Sequence, residues 1–354
     1  MSASAVALAG GGINGLIGRY NPIPAFLEWD RPDAMLVPNV VRKSVVFLGE
    51  GHGDAFSPKG TAFVVSVAQG GFRFVHLVTA EHVIVRRSDP MYARVNLVAG
   101  GTRDIPIRYN DWWHHPDPGV STDLAVLPTS IDRGDIIYSH NPIDSFATDE
   151  VIAKNGIGVG DEVFATGLFA SHYGKGQNLP IVRTGNIALM PDEPVLTRFV
   201  GYIDAYLIET RSIAGLSGSP VWVHMPPIRV VKGRASEYEG PQFFLLGLVQ
   251  GRFNVKAQDE DLANETDGDR DDRINSGIGV VVPAQRIAET LLQPDLVALR
   301  QRIVDQKRAG EGADSQAVGA EREPPTTDAN PQHKEDFTRL LNAAARKPTQ
   351  GGGT

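Results

Sequence analysis

From Ser44 to Val282 the chain is a succession of short runs rich in β-branched and aromatic residues, and no stretch between them holds a helix-length apolar period. The runs are residues 44–48, 60–67, 72–79, 93–98, 124–127, 162–166, 181–184, 205–210, 221–223, 243–249 and 277–282, most of them stopped by Gly, Pro, Asp or Ser. About a dozen strands without crossover helices exclude a parallel βαβ sheet and predict an antiparallel barrel or sandwich. Two six-stranded barrels would use them all.

The 38 Gly and 24 Pro suit a fold with many turns, and the length of 354 residues accommodates one two-barrel domain with extensions. Residues 1–43, interrupted by Pro22, Pro24, Pro32 and Pro38, read as an N-terminal extension, and 44–305 as the folded domain. After Pro283 the apolar spacing changes to three and four, which predicts helices over Ala284–Leu292 and Pro294–Val304 that close the domain. Residues 306–354 read as a disordered linker ending in a short helix at Lys334–Arg346, because the segment up to about 333 has almost nothing apolar to bury.

A net charge of −8 without a Lys/Arg cluster argues against nucleic acid as a partner. With no cysteine, the core must be stable without disulfides, which leans towards a reducing compartment. The first basic residue is Arg19, so the N-terminus does not read as a signal peptide, and no window is apolar enough to span a membrane. A soluble, cytoplasmic protein is the expectation.

Three segments carry candidate chemistry. Thr79-Ala80-Glu81-His82 ends a β-run in a tight turn that sets an imidazole at its edge, although a lone His is more often structural. Asp123 stands immediately before Leu124-Ala-Val-Leu127, where it can orient an imidazole or simply make a turn. In Gly215-Leu-Ser217-Gly218-Ser-Pro220, glycines flank a serine, and they permit a curl in which the amides of Gly215 and Ser217 converge on one point, forming an oxyanion hole. An ordinary Gly/Ser turn is the plain alternative. Ser219 would face elsewhere.

Together, in this order, the segments resemble the Thr-Ala-x-His, Asp-Leu-Ala and Gly-x-Ser-Gly-x-Pro motifs of trypsin-like serine peptidases. The likeness covers about residues 44–290 and is nearest to bacterial trypsin-like and HtrA-type domains, with Gly60-Thr-Ala-Phe-Val-Val matching the strand that opens the barrel. It implies an all-β, chymotrypsin-like pair of six-stranded antiparallel barrels and a His82, Asp123, Ser217 triad that hydrolyses peptide bonds in protein or peptide substrates. A non-catalytic or latent peptide-binding module on the same barrels is the alternative.

The resemblance also implies that Gln250, Gly251 and Arg252 wall the primary substrate pocket, with Arg211 near its floor and Gly277 or Gly279 lining it. Two arginines there would favour an acidic side chain, unless both are solvated or paired locally. Two departures matter. Leu216 stands where digestive enzymes carry an Asp that pairs with a freed N-terminus, so that activation route is excluded. The residues after Asp305 are too few and too polar for the PDZ domain of HtrA proteins.

No cofactor is expected. Asp267, Asp269 and Asp271 alternate like a calcium loop, but Gly268 is misplaced and the closing Glu is missing, so an acidic solvated loop over 259–272 is the reading. His114-His115 lacks further ligands at zinc spacing and reads as a surface turn. The helix Phe337–Ala345 in the tail is a candidate docking element for an activating protein partner.

Overall fold

A computed structural model describes residues 6–7, 17–19, 37–85, 87–130, 134–197, 199–210, 215–231, 234–237, 242–256 and 273–320; the side chains of 6–7, 17–19, 130, 230, 234–237, 252–256, 273–276 and 310–320 are not described. The first sheet is built on β1 (Val45–Glu50), β2 (Ser57–Gln69), β3 (Phe72–Thr79), β4 (Met91–Leu97), β5 (Thr102–Ile107) and β6 (Ala125–Ser130). The second is built on β7 (Glu162–Gly167), β8 (Ile181–Leu189), β9 (Tyr206–Glu209), β10 (Pro220–Met225), β11 (Gln242–Lys256) and β12 (Arg273–Pro283).

The second set closes into a barrel in the order β7-β8-β9-β12-β11-β10. The first set pairs in the order β6-β3-β2-β1-β4-β5. Numbered within its own set, each sheet follows one connectivity: first to second to third, third to sixth, fifth to fourth, and fourth back to first. Both are therefore the same antiparallel fold written twice, the two-barrel arrangement expected of a chymotrypsin-like chain.

They differ in how the fifth strand meets the sixth. In the second barrel β11 and β12 pair along most of their length. In the first, Trp113, past the end of β5, makes the closing contact instead: its amide donates to the Val126 carbonyl at 2.7 Å, and the Val126 amide donates back at 2.8 Å. Short strands at Val6–Ala7, Ile17–Arg19, Ile136–Ile137 and Asn141–Pro142 add to the first sheet. Two of them belong to the segment read from sequence as an extension.

Local chemistry explains the turns. β2 and β3 are joined by Gly70-Gly71, whose φ values of +62° and +85° suit the tight hairpin that continues the strand twist. Each barrel has its own apolar interior: Val64, Leu77, Val78, Ala93 and Leu127 in the first, and Val163, Ala165, Ile208, Val221 and Val281 in the second.

Four helices matter to the site or the ends. The turn α1 (Asn39–Lys43) precedes β1, and α2 (Glu81–Ile84) follows β3. The helix α3 (Ala284–Leu291) buries Ala284, Ile287, Ala288 and Leu291, the three-and-four spacing read from the sequence. Each fully buried Leu or Ile of that kind contributes about 1.5–3 kcal/mol. The last, α4 (Pro294–Ala320), continues past Asp305 through residues that composition assigned to a linker. Residues 321–354, including the expected helix at Lys334–Arg346, lie outside the described residues.

One buried pair makes stability pH-dependent. His76 on β3 is 1% exposed, and burial, reinforced by the nearby Arg300 guanidinium, lowers its pKa to about 3. Burial likewise lowers that of Arg300, whose Nε donates to Gln69 Oε1 at 2.8 Å, to about 10. Because the unfolded chain takes up a proton at His76 below pH 6.5 and the folded chain does not until about 3, acid draws the equilibrium towards unfolding. The expected cost is up to about 1.4 kcal/mol per pH unit in that window. His76→Gln should flatten the decline in urea-unfolding free energy between pH 6 and 4; equal slopes for parent and variant would contradict the burial argument.

Candidate active site

The three sequence candidates come from three different elements. His82 lies in α2, whose first amides lack intrahelical acceptors. Asp123 precedes β6 and is fully buried, as are Leu124, Ala125, Val126 and Leu127 after it. Its carboxylate grips His82 twice: Oδ1 accepts from the His82 backbone amide at 2.9 Å, and Oδ2 lies 2.6 Å from Nδ1. An ionised carboxylate only accepts, so Nδ1 carries the proton and Nε2 presents a lone pair. Among the described residues Nε2 has no hydrogen-bond partner.

Ser217 sits in the loop between β9 and β10. Gly215 and Gly218 have φ of +100° and +83°, so the backbone curls as the glycines suggested. A Cβ on Gly218 would stand 2.0 Å from the Thr61 carbonyl oxygen, and one on Gly215 would meet Leu168 at 2.9 Å. Among the described residues the amides of Gly215 and Ser217 donate to no acceptor. The Ser217 hydroxyl donates to the Gln250 carbonyl at 3.2 Å. Ser219, two residues on, is fully buried.

A contact that the sequence did not suggest covers the imidazole. The hairpin of Val195–Thr197 and Gly201–Ile203 places Phe199 face to face with His82, ring centroids 3.9 Å apart and planes inclined by 3°. Val195 and Ile203 anchor the hairpin in the core, and the Ser121 hydroxyl donates to the Val200 carbonyl at 2.8 Å, tying it to the loop before Asp123. Nothing local marks Phe199: the contact joins residues far apart in the chain.

Acids and histidines surround the same turn. His114 Nδ1 lies 3.5 Å from Glu81 Oε1. Burial holds the Glu81 carboxyl above the usual range and the Asp123 charge pushes the same way, against the opposing pull of His114 and His82. His115 is not at the surface as expected: it is largely buried, and its Nε2 contacts Glu289 Oε2 at 3.0 Å, which links the loop to α3.

The expected substrate residues divide. Val249 still pairs with the loop that carries Ser217, donating to the Ser219 carbonyl at 2.8 Å and accepting from the Gly218 amide at 2.7 Å. Beyond it, Gln250, Gly251 and Arg252 continue β11 opposite β12, and their other edge pairs with no strand among the described residues. The Gln250 side chain is buried, and among the described residues its Nε2 has no hydrogen-bond partner. Gly279 lies opposite Arg252 and close to Ile208 and Thr210. Gly277, φ +74°, accepts from the Thr210 amide and lines an open depression of about 630 Å³ with Thr210, Glu162 and Glu209. Arg211, the Arg252 side chain and the acidic loop 259–272 lie outside what is described.

No family model matches the sequence, and no curated protein is significantly similar to it. Solved structures similar to this chain include the apo MamO protease domain from Magnetospirillum magneticum, at 19% identity and TM-score 0.41 over 70% of this chain and 96% of that one. The HtrA-type protease AlgW with a decapeptide is similar at 17% identity and TM-score 0.39, over 75% of this chain and 66% of that one. The active form of the Rv3671c protease from M. tuberculosis is similar at 19% identity and TM-score 0.37, over 72% and 81%. The repeated strand order described above is what makes this chain a chymotrypsin-like pair of barrels.

Proposed function

We propose that the chain is a serine endopeptidase acting through His82, Asp123 and Ser217. The observation that carries this reading is the double grip of a fully buried Asp123 on His82, which fixes both the ring's place and its tautomer. Nε2 takes the Ser217 proton as the serine attacks the scissile carbonyl, and returns it to the leaving amine. Asp123 stabilises the imidazolium in between. The amides of Gly215 and Ser217 receive the developing oxyanion, each such donor being worth about 10²–10³ in rate. The unpaired edge of β11 from Gln250 accepts the substrate backbone as an added strand.

A second reading has its own support. The Ser217 hydroxyl is engaged by Gln250, and Phe199 lies over the imidazole, which is what a latent form awaiting a partner or substrate would show. Incubation with an unstructured protein, with products identified by mass spectrometry, separates the two. Cleavage by the parent and none by Ser217→Ala supports a constitutive peptidase; no cleavage by either supports the latent or binding module.

Phe199 offers a quantitative check on the imidazole. A stacked aromatic pair is worth about 1 kcal/mol beyond its burial, so losing it releases one of the two restraints on the ring. Phe199→Ala is expected to lower kcat about fivefold in steady-state hydrolysis. An unchanged kcat would mean that Asp123 alone orients His82.

A further inference from the structure

We infer that Thr61, a residue of the first barrel, is the positioning residue that shapes the nucleophile loop of the second; the inference rests on the peptidase reading above. Thr61 is fully buried on β2. Its backbone amide donates to the Ser217 carbonyl at 2.9 Å. Its hydroxyl accepts from the Leu168 amide at 3.0 Å and donates to the Gly215 carbonyl at 2.8 Å. A hydroxyl has one proton, and since Leu168 is a donor, that proton is committed to Gly215.

One residue therefore holds the carbonyls of Gly215 and Ser217, the two residues whose amides form the candidate oxyanion hole. Fixing a carbonyl fixes the plane of its own peptide, here Gly215–Leu216 and Ser217–Gly218, and these two bracket the Leu216–Ser217 peptide that carries the Ser217 amide, so the path of the loop through Ser217 is set from both sides. Thr61 is itself held: its own carbonyl accepts from the Thr79 hydroxyl at 2.7 Å, three residues before His82. Thr79 and Thr61 thus connect the turn that carries the base to the loop that carries the nucleophile. Bulk is not what this position supplies, because the neighbouring Gly167 and Gly218 are already crowded against Thr61: a Cβ on Gly167 would lie 2.8 Å from the Thr61 hydroxyl.

Thr61→Val keeps the shape and removes the hydroxyl, leaving the Leu168 amide and the Gly215 carbonyl without their partner. Small displacements of a reacting group cost up to about 10²-fold in rate. The expected result is a fall in kcat of about 10- to 100-fold with KM within about threefold of the parent, and recovery to within about threefold in Thr61→Ser. If Thr61→Val does not fold, Thr61→Ala, which leaves space for water, is measured in its place and is expected to show the same split. Parental kcat in the hydroxyl-free variant would overturn the inference, as would a Thr61→Ser variant impaired as much as Thr61→Val. A parent that neither hydrolyses peptides nor forms a phosphonate adduct at Ser217 would instead remove the peptidase reading, and the role of Thr61 with it.

Discussion

Replacing Ser217 by alanine is expected to reduce peptide hydrolysis by at least about 10⁴-fold, and His82→Ala by a similar factor, because in the proposed mechanism the two side chains act as one unit. Combining the two substitutions should add little. Asp123→Asn is the more informative variant. An amide nitrogen in the place of Oδ2 would donate to Nδ1, so the ring proton would move to Nε2, the atom that must receive the serine proton. A loss of about 10⁴-fold is expected there too, with geometry intact. Ser217→Ala removes a single hydrogen bond, to Gln250, and should change stability by about 1 kcal/mol or less. Steady-state kinetics and thermal unfolding of the three variants check this; an Asp123→Asn enzyme within tenfold of the parent would show that the tautomer is not controlled from this carboxylate.

The second large effect is structural. Gly218→Ala places a methyl 2.0 Å from the Thr61 carbonyl oxygen and 2.4 Å from the Thr79 hydroxyl, at a φ of +83°. Gly71 is a matched control: its φ is +85°, and nothing lies within 4 Å of its added Cβ. Gly71→Ala therefore carries only the left-handed backbone cost, about 1 kcal/mol. Gly218→Ala adds a backbone clash and is expected to cost about 3 kcal/mol or more, and to abolish hydrolysis by moving Ser217. Urea midpoints at constant m-value measure both. Equal costs would mean that the loop relaxes away from Thr61 without penalty.

What the sequence made legible is what is locally encoded. His82, Asp123 and Ser217 each stand in a short grammar: a turn after a strand, an acid before an apolar run, and a serine between glycines. The apolar spacing of Ala284–Leu291 likewise states its helix and its buried face. Contacts between distant segments were not legible. Phe199 over His82 joins a hairpin tip to a turn more than a hundred residues earlier, and the same holds for Thr61 and Gly215, whose hydrogen bond spans 154 positions. Trp113 closing the first barrel through Val126 is invisible because Trp112 and Trp113 follow the strand rather than form one. His115 was read as exposed because its partner, Glu289, lies on a helix at the far end of the domain. At residues 306–320 composition alone does not show that a polar, glycine-containing stretch follows on in one helix from the part that buries Leu296, Ile303 and Val304.

The most direct test of the account is covalent. A fluorophosphonate reacts only where a serine is activated by a base and the phosphoryl oxygen finds oxyanion donors. The full-length chain, treated with such a probe and digested, is expected to carry the adduct on the peptide containing Ser217, with labelling lost in both Ser217→Ala and His82→Ala. An adduct at another residue, or labelling of Ser217 that persists without His82, would contradict the assignment of this site as a serine peptidase centre.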